Sequence, residues 1–138
     1  MIVVDANIIA YFFIPGEYSE IVEQVLRKDP KWVVPLLWRS EFCNILFKYI
    51  RFTKMDMGTA VKTAEAAQRF FSRGEFAVSF HKVLELASQT SCSAYDCEYA
   101  VLASDLRVPL LTTDKKILKA FPNISISCRD FLKTNGKI

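Results

Sequence analysis

The chain is poor in the residues from which many reactive sites are built. It has a single histidine, His81. A proton-transfer mechanism built on histidines normally needs more than one positioned acid–base group, so His81 reads as structural. The four cysteines, Cys43, Cys92, Cys97 and Cys128, form no C-x-x-C pair and have no histidine at zinc spacing. They read as reduced, mostly buried thiols of a cytosolic protein with no redox or zinc role. Four glycines leave little room for a flexible hinge, and no Gly-rich phosphate loop is present. Ser40 and Ser93 have no convincing base partner. Internal repeats and low-complexity stretches are absent. No uninterrupted apolar run reaches the ~18 residues of a membrane helix. Met1 to Ile14 is apolar, but it lacks a basic leader and is broken by Asp5 and Asn7, so it does not read as a secretion signal. The expectation is a cytoplasmic protein with no membrane partner.

What remains is a core-forming composition. Hydrophobic residues make up 51% and aromatics 13% of 138 residues, enough for a substantial core in one domain spanning residues 1–138. The formal charge is +3. If several acids are confined to one pocket, the rest of the surface is more basic than that total implies, which suits a polyanionic partner.

Periodicity predicts alternating short strands and helices. Residues 2–5 read as a buried strand, followed by a helix from Ser19, taken as its N-cap, through Arg27. Trp32 to Pro35 is a second strand. Two long helical patterns follow, Leu36 to Phe52 and Met57 to Arg73, with Asp56 capping the second and Gly74 ending it. A strand is expected over Phe76 to Phe80, and helices over Lys82 to Gln89 and Ser93 to Leu106. The pattern ends with a strand from Val108 to Thr112, a short helix from Lys115 to Ala120 and a strand from Ile124 to Ser127. Short apolar strands alternating with helices imply a parallel sheet covered on both faces, an α/β fold.

Four acidic residues stand where a solvated charge is out of place. Asp5 ends the run Met1 to Val4, Glu41 interrupts the apolar stretch Leu36 to Ile50, Asp96 opens Tyr95 to Leu102, and Asp114 closes Pro109 to Thr113. In a parallel sheet, ligands bind beyond the carboxyl ends of the strands, the rim on which Asp5 and Asp114 fall. Glu41 lies on the helix after the second strand, with Leu37, Ile45 and Lys48 as helical neighbours, and Asp96 lies in the first turn of its own helix. Four carboxylates cannot neutralise one another, and buried charge is costly without a partner. A divalent cation such as Mg2+ or Mn2+ suits oxygen ligands of this kind. Such an ion lowers the pKa of a coordinated water and orients it for in-line attack on a phosphodiester. Asn7 and Thr112 or Thr113 are neutral polar groups able to support the acids.

Each acid also has a plainer reading. Ser93-Ala94-Tyr95-Asp96 is a capping-box pattern, Asp114 is able to cap the helix at Lys115, Glu41 to pair with Lys48 or Arg39, and Asp5 simply to end a strand. Glu98 falls on the far side of its helix from Asp96 and is at most an outer contributor. Asp105 and Asp130 read as surface residues. Arg39, Lys48, Arg51, Lys115 and Lys116 border the expected pocket and are candidates for phosphate contacts or ordinary solvated faces. An aspartyl-phosphate phosphatase would want an acid two residues after its nucleophile, where Asp5-Ala6-Asn7 supplies an amide.

In four segments the chain resembles PIN domains, the nuclease family that includes the toxins of VapBC-type toxin–antitoxin pairs. These are Val3 to Ile9, Trp38 to Asn44, Ala94 to Ala103 and Pro109 to Asp114, in the family's order and across nearly the whole chain. The resemblance places catalytic acids on Asp5, Glu41, Asp96 and Asp114, of which Asp5, Asp96 and Asp114 hold the metal. It gives supporting polar roles to Asn7 and a threonine before the last aspartate. It implies a three-layer α/β/α sandwich around a parallel sheet of about five strands ordered 3-2-1-4-5. It further implies Mg2+- or Mn2+-dependent cleavage of an RNA substrate and neutralisation by a small antitoxin protein. The alternatives are an RNA-processing nuclease without an antitoxin, and a catalytically silent RNA- or partner-binding module. A homodimer is also expected, because Tyr11, Phe12, Phe13 and Ile14 are more apolar surface than a small domain buries easily. Leu46, Phe47, Ile50 and Phe52 on the long helical hairpin are a surplus suited to an amphipathic antitoxin segment.

Overall fold

The computed structural model describes residues 1–135. The chain opens with β1 (Ile2–Val4), α1 (Ala6–Phe13), α2 (Ser19–Lys28) and β2 (Trp32–Pro35). It continues through α3 (Trp38–Phe52), α4 (Met57–Phe70), β3 (Glu75–Phe76), α5 (Phe80–Ser88) and α6 (Ala94–Leu106). It closes with β4 (Leu110–Leu111), α7 (Lys115–Ala120), β5 (Ser125–Ile126) and α8 (Cys128–Lys133). The five strands form one parallel sheet in the order β3-β2-β1-β4-β5. Chain order reverses between β1 and β4, which is the switch point of the sheet.

Side-chain alternation along the strands divides the core in two. Ile2, Val4, Trp32, Val34 and Leu111 face one layer, built from α1, α2, α3, α4 and α8. Val3, Val33 and Leu110 face the other, built from α5, α6 and α7. Every residue of β1 and β2 is buried, as expected for a sheet covered on both faces. The result is the three-layer α/β/α sandwich with strand order 3-2-1-4-5.

Several local expectations are corrected. Two helices went unread. α1 is one of them: Asp5 ends β1 and at once caps α1, accepting from the Ile8 N–H at 3.1 Å. The other is α8, capped by Ser127. Ser19 is not the N-cap of α2; Tyr18 occupies that position, and the Ser19 hydroxyl accepts from the Gly16 N–H at 2.9 Å. The third strand is Glu75–Phe76, because Ser79 already caps a helix beginning at Phe80. Gly74 permits that strand to form. A Cβ there would lie 2.8 Å from the Trp32 carbonyl oxygen, so β3 reaches β2 only with glycine at this step. The segment Leu36–Leu37 is a turn before α3, and α4 ends at Phe70 rather than Arg73.

The aromatics after β1 do not supply a free surface. Phe12 packs on Trp32 with ring centroids 5.3 Å apart and Phe13 on Phe42 at 6.2 Å, and Ile14 is buried. The amphipathic α1 brings all of them to the core, so they give no support to a dimer. On the helical hairpin the surplus is smaller than expected: Leu46 is buried and Ile50 half-buried, while Phe47 and Phe52 are exposed. Among the described residues, no helix is long and apolar enough to cross a membrane.

Candidate active site

At the carboxyl ends of β1 and β4 the surface opens into a cleft of about 200 Å³. Asp5, Asn7, Glu41, Asn44, Asp96, Tyr99 and Asp114 all line it. The four acids, scattered over the sequence, therefore share one cavity. Their local settings share a feature: each occupies the N-cap or first turn of a helix. Asp5 caps α1 and Asp114 caps α7, while Glu41 and Asp96 lie in the first turns of α3 and α6. Four helix N-termini thus converge on the cleft.

Asp5 is at the centre. Its backbone N–H continues the sheet ladder to the Leu111 carbonyl at 3.2 Å. One carboxylate oxygen accepts from Ile8 and the other from the Thr112 hydroxyl. The Thr112 oxygen in turn accepts from the Asp114 backbone N–H at 3.0 Å, so Thr112 bridges the two acids. Asp114 accepts from the N–H groups of Lys116 and Ile117 at 2.8 and 3.4 Å. Thr112 is fully buried and Thr113 half-buried, and neither lines the cleft itself. Of the two candidate threonines, the first makes the contacts. Asn7 is exposed in the first turn of α1 and lines the opening.

Glu41 is half-buried and accepts from the Tyr99 hydroxyl at 2.6 Å. It pairs with neither Lys48 nor Arg39. Arg39 is engaged elsewhere, in a two-pronged contact with Glu75 at 2.6 and 2.8 Å. Asp96 forms the capping box, giving its oxygen to the Ser93 N–H at 3.4 Å while its own N–H donates to the Ser93 hydroxyl at 3.0 Å. The capping readings for Asp96 and Asp114 thus hold, and both residues face the cleft as well.

The electrostatics follow from burial without a counter-charge. Desolvation pushes Asp5 up from 3.8 to about 6; hydrogen bonds from Thr112 and Ile8 oppose this, and the charges of Asp114 and Glu41 add to it. Burial also raises Glu41, against the Tyr99 hydrogen bond and with help from Asp96 and Glu98. The Tyr99 phenol is held far above its ordinary value by burial and by Glu41, so it remains a hydrogen-bond donor. Neighbouring sulfur is unsuited to ligation: burial, then the Asp5 charge, pushes Cys128 up to about 11. Cys92, Cys97 and Cys128 are buried and Cys43 is exposed, all as free thiols.

The donor set is oxygen only, and among the described residues no lysine or arginine lines the cleft. That chemistry fits a hard divalent cation rather than a soft one. Among the described residues, no three histidine, cysteine, aspartate or glutamate side chains converge closely enough to cage an ion by themselves. The shared cleft and the missing cage agree if water and substrate oxygens complete the shell, as is usual for Mg2+.

Tyr99 and Asn44 were missed in the sequence, although each carried a signal. Asn44 lies three residues after Glu41, and Tyr99 three after Asp96, the spacing that puts two side chains on one helix face. Of the neighbours expected for Glu41, Ile45 lines the cleft and Lys48 does not. Glu98 lies outside the lining but close enough to act on Glu41. His81 is exposed and pairs with Glu85 at 3.1 Å. Arg51 covers the Phe47 ring at 4.1 Å.

Residues 2–122 match the PIN domain family. Ribonuclease VapC3 of Pyrobaculum aerophilum is 28% identical over 124 residues, covering 88% of this chain and 95% of that protein. A crystal structure from the same organism superposes with a TM-score of 0.76 at 20% identity, over 95% of this chain and 85% of that one. A toxin–antitoxin complex from Klebsiella pneumoniae superposes with a TM-score of 0.69 at 19% identity, over 93% and 98% of the two chains.

Proposed function

This chain belongs to the PIN domain family, and from that premise we propose that it is a metal-dependent endoribonuclease, the toxin of a type II toxin–antitoxin pair. The observation that carries the reading is the cleft lined by Asp5, Glu41, Asp96 and Asp114 and, among the described residues, by no basic side chain. A relative named as a ribonuclease and a structural neighbour solved as a toxin–antitoxin complex support it.

In this reading Asp5, Asp96 and Asp114 hold Mg2+ or Mn2+, and Glu41 completes the catalytic set. The bound ion supplies Lewis acidity and a water of lowered pKa. Thr112 keeps Asp5 in one orientation through the hydroxyl it donates, and the Asp114 cap keeps that carboxylate at the rim. Glu41, whose affinity for a proton is raised by burial, is suited to take the proton of an attacking water. Asn7, at the mouth, is suited to donate to a phosphate oxygen of the RNA.

The antitoxin is expected on the hairpin of α3 and α4, where Phe47, Phe52, Met57 and Val61 are exposed. Such residues suit an amphipathic helix laid along the pair. A homodimer, if it forms, draws on exposed apolar residues of α5 and α6, namely Phe80, Leu84 and Tyr95. The setting is the cytoplasm.

The test is RNA cleavage by the purified protein with Mg2+ or Mn2+, with chelator, and after co-expression with the product of the adjacent reading frame. Cleavage that needs the ion, disappears in Asp5→Asn and is suppressed in the co-purified complex is the expected result. Cleavage without a suppressing partner would leave an RNA-processing nuclease. Absence of cleavage with every RNA class would leave a binding module.

A further inference from the structure

One side chain of the cleft has a role outside the four acids. Tyr99 is only 3% exposed, and its ring belongs to the core layer formed by α5, α6 and α7. Its hydroxyl nevertheless emerges in the cleft and donates to Glu41 Oε1 at 2.6 Å. This contact joins α6 to α3, elements 58 residues apart in sequence at these two positions. It is also the one side-chain hydrogen bond made by the Glu41 carboxylate among the described residues.

A glutamate has three side-chain torsions, and one at a cleft wall samples several of their combinations. A tyrosine whose ring is packed in the core has little freedom left. Hydrogen bonding to such a ring transfers the rigidity of the core to the carboxylate. It also distinguishes the two oxygens of Glu41, because Oε1 accepts from the phenol and, among the described residues, Oε2 accepts no hydrogen bond. Asp96, one helical turn before Tyr99 on α6, is set on the same helix. A single rigid element thus fixes one acid directly and the other through its hydroxyl.

Building on the nuclease reading above, we propose that Tyr99 is a positioning residue, which presents Glu41 to the metal- and RNA-binding cleft through one oxygen. Its function is that of an outer partner that orients a group of the site, and loss of such a partner typically costs ten- to a hundredfold in metal affinity or activity. The plainer account is that a buried tyrosine needs some acceptor and Glu41 happens to be near. The two accounts differ in what removal of the oxygen alone does.

The experiment compares Tyr99→Phe, Glu41→Gln and the double variant by titration with Mn2+ alone, in the absence of RNA, and by cleavage kinetics at saturating Mn2+. In Tyr99→Phe, kcat is expected to fall about tenfold, with KM for RNA unchanged and the Mn2+ affinity set by Asp5, Asp96 and Asp114 retained. In the Glu41→Gln background the same change is expected to add nothing, because its effect passes through Glu41. A Tyr99→Phe protein with wild-type kcat overturns the proposal, as does an undiminished loss in the Glu41→Gln background. Wild-type protein that neither binds Mn2+ nor cleaves RNA overturns the nuclease reading itself, and this proposal with it. A measurement on the wild-type protein needs no variant to fold. The protected hydroxyl proton of Tyr99 is expected to shift in the NMR spectrum when Mg2+ is added, and an unmoved resonance at saturating Mg2+ counts against the coupling.

Discussion

Two acidic regions flank the start of α3, and they are handled in opposite ways. At the edge of the sheet Glu75 receives the guanidinium of Arg39 in a two-pronged contact and the indole N–H of Trp38 at 2.7 Å. Its pKa is lowered, first by the Arg39 hydrogen bond. In the cleft Glu41 lies two residues from Arg39 and receives only a phenol, while Asp5 receives a hydroxyl and a backbone N–H. Both cleft acids are pushed upward, chiefly by burial. The arginine nearest the cleft in sequence is thus committed to the acid outside it. Glu75 is neutralised within the protein, whereas Asp5 and Glu41 receive no cationic side chain among the described residues. That unmet charge costs stability, which is the usual signature of a functional site.

The largest effect should follow from removing one of the uncompensated acids. Asp5→Asn or Asp114→Asn is expected to lower RNA cleavage about a hundredfold or more, beyond the range for outer-shell partners, with the fold retained by circular dichroism. Arg39→Ala should leave cleavage in place. Equal losses in Asp5→Asn and Arg39→Ala would erase the distinction between the two regions.

Stability against pH sharpens the comparison next. Asp5 is raised from 3.8 to about 6, so between those values the folded state binds more protons than the unfolded state. The contribution of Asp5 to metal-free stability is therefore fully present below about pH 4 and is lost as pH rises through about 6, by about 3 kcal/mol at most. The same carboxylate predicts that metal-free Asp5→Asn melts above wild type at pH 8 and loses this advantage at pH 4. Denaturant titrations of both proteins across pH with chelator present would check it, and a wild-type stability that rises relative to Asp5→Asn through this window would refute the sign.

Supplying the missing cation should blur the two regions. Asn44→Lys places an ammonium in the lining of the cleft. It is expected to stabilise the metal-free protein by about 1 kcal/mol at pH 8 and to weaken Mn2+ binding at least about tenfold by competing for the same carboxylates. Unchanged Mn2+ affinity, measured calorimetrically, would mean that the ion is held away from Asn44.

The smallest effect belongs to the compensated region. Arg39 is half-exposed in its pair with Glu75, so solvent screens the contact and Arg39→Ala should cost little stability and leave the Mn2+ titration untouched. A loss of metal affinity in this variant would tie the sheet edge to the cleft.

The fold was largely legible because its signals are local. β1 and β2 are short β-branched runs buried on both faces, and Asp56 and Ser93 are caps whose side chains accept the expected N–H bonds. α1 was lost because Ala6–Phe13 is too apolar for its helical period to stand out beside the strand it follows. The early placement of β3 depended on Gly74 approaching the Trp32 carbonyl, a contact between segments about 40 residues apart that no local pattern records. The acids were legible one by one as charges interrupting apolar segments. Their partners were less so, since Thr112 and Thr113 are equivalent until one of them is seen to face Asp5.

By itself the sequence determined most of the alternation of strands and helices, the caps of α4, α6 and α7, and the identity of the four acids as charges in apolar surroundings. Each of these depends on residues within a turn or two of one another. The tertiary structure alone decided that Asp5, Glu41, Asp96 and Asp114 share one cleft, that Arg39 is drawn to Glu75 instead of Glu41, and that Tyr99 reaches Glu41 from a different helix. Those outcomes depend on the order β3-β2-β1-β4-β5, which brings the ends of β1 and β4 side by side. Burial at that junction then pushes Asp5 and Glu41 above the usual carboxylate range, an effect of desolvation that arises only once the chain has folded around them.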